Sequence, residues 1–163
     1  MKIVAEIIKS KKLSGFRGVP GNKGGYWVQK LEDSFRDYFN VKHAVAMNSA
    51  TACLHSACVA CGQGEFIVPP LTFSASASCV LQGGSKVRFA DIDETTFCID
   101  TGRVISRISE DTKAIIAVDL CGHPAPFNTL RAVAHNSKLK IIEDASQAIG
   151  ATYLNQKAGK RPR

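Results

Sequence analysis

Three short segments of this sequence combine residue types that could hold a small charged ligand. The first is Asn48-Ser49-Ala50-Thr51-Ala52. Small side chains let a backbone approach a ligand closely. Free amides at a helix start, together with the Thr51 hydroxyl, can bind a phosphate group. A plain N-cap by Asn48 or Ser49 accounts for the same residues. The second segment is Pro69-Pro70-Leu71-Thr72-Phe73-Ser74-Ala75. Here Phe73 either stacks on a flat ring or packs into the core. The third is Glu143-Asp144-Ala145-Ser146-Gln147. Two acids close an apolar stretch, where a carboxylate is costly unless it has a partner. A protonated ring nitrogen is one such partner for Asp144, and Gln147 could donate to an oxygen on the same ring. The competing reading makes Asp144 a helix N-cap. Together the segments offer a phosphate cradle, a ring stack and an acid for a ring nitrogen.

These segments must be brought together by the elements around them. The sequence predicts a short helix over 3–9 and a glycine-rich loop over 14–25, which holds five glycines and a proline. Trp27, Leu31, Phe35 and Tyr38 recur at helical spacing. Strands are expected at 43–47, 65–68, 86–90, 113–119 and 139–142, and a last one at 151–154 with a turn at Asn155 and Gln156. Helices are expected at 50–61, 72–82, 102–108 and 128–137. The run Ala114-Ile115-Ile116-Ala117-Val118 is apolar throughout, as suits a strand covered on both faces. Such alternation implies an α/β fold, a mostly parallel sheet flanked by helices. Ligands of such sheets bind beyond the carboxyl ends of the strands, where the three segments fall.

Composition narrows the class. The chain has 163 residues, 45% hydrophobic and 21% charged, the balance of a globular domain. No apolar run reaches the ~18 residues that span a membrane, and the start is a poor signal peptide. A cytoplasmic protein without membrane partners is expected. The net charge of +7 comes from 21 basic and 14 acidic residues, without the aromatic interleaving of a nucleic-acid binder. Six cysteines lie in apolar segments and read as small hydrophobes. Cys58-Val59-Ala60-Cys61 has no second CxxC to complete a metal site, so none is expected.

Longer stretches carry a resemblance: WVQKLEDSFRDYF at 27–39, NSATACLH at 48–55, VPPLTFSASAS at 68–78, VRFADID at 87–93, TKAIIAVDLCGHPA at 112–125 and IIEDASQAIGATY at 141–153. In these the chain resembles the DegT/DnrJ/StrS family of sugar aminotransferases, which depend on pyridoxal 5'-phosphate (PLP). The resemblance implies part of the large domain of a fold-type-I PLP-dependent transferase over 26–159, preceded by the helix and loop of 1–25. It implies a homodimer with its site at the subunit interface, and amino transfer from an amino-acid donor, usually glutamate, to a nucleotide-linked keto sugar. By the same resemblance Asp144 pairs with the pyridine nitrogen and Gln147 touches the phenolic oxygen. Ala50 and Thr51 bind the phosphate, and Phe73 stacks on the ring.

The sequence departs from the family in one way that bears on chemistry. The family's Schiff-base lysine follows a later strand, in a stretch like S-F-x-x-x-K, and no such stretch is present. Lys157 and Lys160 come too early, in the turn after the 151–154 strand. Residues 160–163 form a basic tail that no longer matches. Asp119 and His123 replace the family's more usual His and Gln. The chain is therefore expected to be an N-terminal fragment without its catalytic lysine, inactive alone. Two other readings stay open: a sugar dehydratase using the same cofactor, and a non-catalytic binding or regulatory protein on the same scaffold.

Overall fold

In the computed structural model, residues 2–11 and 24–160 are described; most of the glycine-rich loop and the last three tail residues lie outside them. The chain divides into two units, residues 1–46 and 47–163. The first holds α1 (Lys2–Ser10) and α2 (Tyr26–Phe39). Helix α2 ends at Asn40, whose left-handed backbone turns its N–H back onto the Arg36 and Asp37 carbonyls. Glu32 accepts the Ala46 N–H at 2.9 Å. The helical spacing of Leu31, Phe35 and Tyr38 is realised, yet all three stay exposed and only Phe39 of α2 is buried.

The second unit is built on four parallel strands: β1 (Glu65–Val68), β2 (Lys86–Phe89), β3 (Thr112–Val118) and β4 (Lys140–Asp144), in the order β2-β1-β3-β4. Their side chains alternate between two cores. Phe66, Val68, Ala114, Ile116 and Val118 pack against Leu54 and Cys58 of α3 (Ala50–Cys61) and Cys79 and Val80 of α4 (Ala75–Gln82). Ile67, Ile115 and Ala117 pack on the other face against Val104 of α5 (Thr101–Arg107) and Phe127, Leu130 and Ala134 of α6 (Phe127–Asn136). The apolar runs of β1 and β3 thus follow from burial on both faces. After β4 the chain forms a hairpin, β5 (Thr152–Tyr153) with β6 (Gln156–Lys157). Lys157 is in a strand opposite Thr152, and the turn is at Leu154 and Asn155, one residue earlier than expected.

Three sequence expectations are corrected. Residues 43–47 form no strand. A strand exists only with a ladder partner, none is described for this segment, and Val45 stays 72% exposed where a buried strand needs cover. Helix α4 starts at Ala75 rather than Thr72; the chain enters it through a turn over 73–76 in which the Phe73 carbonyl accepts the Ser76 N–H at 3.0 Å. The cysteines do not all behave as core residues. Cys58, Cys79 and Cys98 are buried, but Cys53 and Cys121 are exposed. Cys58 faces Cys79 across the helix pair, Sγ to Sγ 3.6 Å, rather than Cys61 of its CxxC. This contact and burial push the Cys58 thiol up from its ordinary value. Among the described residues no group of His, Cys, Asp or Glu could hold a metal ion, and no helix is long and apolar enough to cross a membrane.

The amino ends of the strands are locked by polar contacts. Gly64 sits at φ +153°, and a Cβ there would lie 2.8 Å from the Asp111 carbonyl, so the entry to β1 requires glycine. Next to it Glu65, buried, pairs with Arg88 at 2.6 Å and accepts from Ser109 at 3.0 Å and Thr112 at 3.3 Å. Burial alone raises the Glu65 pKa; Arg88 and the two hydroxyls outweigh it and hold the carboxyl below its ordinary value.

Two outcomes follow. A lowered carboxyl pKa stabilises the fold above the unfolded value of about 4.3, and that contribution disappears as pH falls through the folded value. Glu65→Gln is therefore expected to cost roughly 1–2 kcal/mol at neutral pH, with Arg88's exposure keeping it modest. In urea melts the gap to the native chain should close in acid; a pH-independent gap would contradict the ion pair. Separately, a thiol reagent should titrate Cys53 and Cys121 fast in the native chain, and Cys58, Cys79 and Cys98 only on unfolding. Fast labelling of Cys79 would show that the α3–α4 core is open.

Candidate active site

The strand order places a topological switch between β1 and β3, since the chain leaves β1 toward β2 and returns to the other side at β3. Crevices of this kind, outside the carboxyl ends of strands, are where open α/β sheets bind ligands. A cavity of about 150 Å³ lies there, lined by Ala50, Thr51 and Leu54 of α3, Thr72, Phe73 and Ala75 after β1, Val118 at the end of β3, and Asp144, Ser146 and Gln147 at and after β4. Ala50, Thr51, Phe73, Asp144 and Gln147, singled out from the sequence, all line it. A larger cavity of about 790 Å³ wraps the open edge of β4, walled mostly by apolar residues of α3, α6 and β4. Its polar lining is basic only, Arg131, His135 and Lys140, and the Lys140 ammonium donates to the Ala60 and Cys61 carbonyls at 3.3 Å.

Each wall has a local cause. Ser49 caps α3, its hydroxyl accepting the Ala52 N–H at 3.2 Å. The capping reading of this segment is therefore correct, and it leaves the cradle intact. Among the described residues the amides of Ala50 and Thr51, before that capped position, have no acceptor. Phe73 is 69% exposed, so it is not a core residue. It stands on the turn that delays α4 and presents its ring at the cavity.

Asp144 is the last residue of β4 and is 8% exposed. No helix follows it, so it is not a helix N-cap. Its Oδ1 instead accepts both the backbone N–H of Ser146, at 3.2 Å, and the Ser146 hydroxyl, closing a turn on itself. Its Oδ2 accepts from Ser76 Oγ at 3.1 Å. Neighbouring Glu143 is turned elsewhere by the two-residue strand period and accepts the Gly159 N–H at 2.9 Å. Gln147 accepts the Cys121 N–H through Oε1 at 2.7 Å. That bond fixes its amide, so the NH₂ end is the one left for a ligand, and it can only donate. Asp119, fully buried, accepts the Ala125 N–H at 2.8 Å and shapes the loop after β3.

Sequence reasoning missed Thr72, Ser76 and Ser146. The signal was faint: Ser76 is one of three serines between Ser74 and Ser78, and nothing in the spacing marks which faces Asp144.

A doubly covered parallel sheet with this cavity at its switch point is part of the large domain of a fold-type-I PLP-dependent transferase. The comparisons with known proteins agree. The chain belongs to the DegT/DnrJ/EryC1/StrS aminotransferase family, whose model matches residues 16–162. It is 41% identical to the GDP-perosamine synthase of Caulobacter vibrioides over 138 residues, 83% of this chain and 37% of that protein. The structure of NtdA from Bacillus subtilis with bound cofactor PMP superposes with a TM-score of 0.84 at 30% identity, covering 96% of this chain and 35% of that one. The structure of a GDP-4-keto-6-deoxymannose-3-dehydratase with a trapped PLP-glutamate geminal diamine superposes at 0.83 and 27% identity, covering 97% and 41%. The chain thus spans about two fifths of the length of these relatives.

The Gln147 latch is testable without any ligand. Gln147→Ala is expected to destabilise the chain by about 1 kcal/mol and to speed hydrogen exchange at the Cys121 amide. Unchanged exchange there would show that the loops after β3 and β4 are not joined through this side chain.

Proposed function

We propose that this chain supplies the cofactor-binding part of a PLP-dependent aminotransferase that passes an amino group, from a donor such as glutamate, to a nucleotide-linked keto sugar. The observation that carries the reading is the convergence of an acid, an aromatic ring and unpaired helix-start amides on one cavity. The residues fit the cofactor's parts. Asp144 would accept a hydrogen bond from the protonated pyridine nitrogen. The amides of Ala50 and Thr51, with the Thr51 hydroxyl, would hold the phosphate. Phe73 would cover one ring face and exclude water, and the Gln147 NH₂ would donate to the phenolic oxygen. When bound, the cofactor supplies an electron sink, which a protonated ring nitrogen strengthens.

The sugar substrate is supported by the family and by the name of the Caulobacter relative. A homodimer with its site at the subunit interface is supported by the exposure of Phe73, an aromatic left open on one side. Six free cysteines suit a reducing, cytoplasmic compartment. Among the residues lining the cavity none is a lysine, so amino transfer by these residues alone is not expected. The superposed dehydratase keeps a second reading open, in which the same cradle serves PLP-dependent sugar dehydration. The residue that stands at the lysine position separates the two.

Pyridoxamine 5'-phosphate, which needs no imine to bind, is the direct probe. Fluorescence titration is expected to show binding, weakened about tenfold or more by Asp144→Ala. With glutamate and PLP the chain should produce no 2-oxoglutarate. Failure of the native chain to bind the probe would overturn the cofactor reading.

A further inference from the structure

The acceptor positions of Asp144 can be counted. A carboxylate offers about four, two on each oxygen. Both on Oδ1 are taken by Ser146, through its N–H and its hydroxyl. One on Oδ2 is taken by Ser76 Oγ at 3.1 Å. The fourth, also on Oδ2, has no donor among the described residues, and Asp144 lines the cavity.

The Ser76 hydroxyl has a single proton. While Asp144 is a carboxylate, that proton points to Oδ2. Ser76 must then be the acceptor in its 2.9 Å contact with Thr72 Oγ1, and Thr72 the donor. Ser76 is fully buried in the α4 side of the sheet, and Thr72 lines the cavity. The two hydroxyls form a one-way chain, Thr72 to Ser76 to Asp144, running from the loop after β1 to the end of β4.

Resting on the cofactor reading above, we propose that Ser76, braced by Thr72, is the positioning residue of the site: it holds Asp144 so that the open acceptor of Oδ2, and not Oδ1, meets the ring nitrogen. Ser76 touches no ligand. It acts by fixing the carboxylate's rotation, so its effect depends on the ligand carrying a ring N–H.

The test compares two probes on the full chain: pyridoxamine 5'-phosphate, and the analogue in which carbon replaces the pyridine nitrogen. Ser76→Ala is expected to weaken the first about tenfold and to leave the second unchanged. Ser76→Thr, which keeps the hydroxyl, should restore the first. A purely structural role would weaken both probes alike, and equal loss, or no loss, would overturn the proposal while leaving the cofactor reading standing. No binding of either probe by the native chain would overturn both. Should Ser76→Ala fail to fold, Thr72→Val at its partly buried position is read the same way. It should weaken the nitrogen-bearing probe selectively, and an unselective effect counts against the proposal.

Discussion

A carboxylate removed from water at the end of an apolar strand is the constraint around which the second unit is arranged. Asp144 is one of only a few buried charged residues described, and burial of a charge is tolerated where donors replace the lost water. Two serines provide them, one from its own turn and one from α4. That requirement couples distant parts of the chain. Helix α4 must lie against the sheet at the height that presents Ser76. The loop after β1 must turn before the helix begins. The chain after β4 must fold back through Ser146 instead of entering a helix. At the opposite end, Glu65 with Arg88, Ser109 and Thr112 meets the same physical demand with a different set of donors. One charge is paired with a cation, through Oε1, and ties strands together. The other keeps an acceptor open toward a cavity.

Much of this architecture was legible in the residues. Helix α3 and strand β1 fall at their expected limits, because Ser49, Gly62, Gly64 and Pro69 mark their ends in chemistry that any sequence shows. Strand β3 was readable because seven residues with one charge, alternating between two cores, leave few other ways to hide apolar surface. Phe73, Asp144 and Gln147 were found by residue type at or after strand ends, where a parallel sheet places ligands, and Ala50 and Thr51 by residue type at a helix start.

What could not be read lies in pairing and in the third dimension. Residues 43–47 have strand composition, yet a ladder needs a neighbour, and composition says nothing of that. Asp144 before Ser146 looks like a helix cap, since a turn closing on Asp144 uses the same residues as a cap would. Cys53 and Cys121 are apolar by type but point outward, Cys121 from a left-handed turn after β3. Ser76 was invisible because its meaning comes from Asp144, 68 positions later.

The cavity is discontinuous. Thr51 and Asp144 stand about ninety residues apart in the chain, and the wall between them is contributed by the segment after β1 and the last residue of β3. No single hairpin or helix pair can assemble it, and closing contacts over such separations comes late in folding, after the entropy of long loops has been overcome. Occupancy is then a readout of the whole unit. A ligand seated there bridges four pieces of backbone and shifts the unfolding equilibrium of the entire sheet, whereas a chain that has lost the pairing of β1 with β3 or of β3 with β4 no longer holds the walls together.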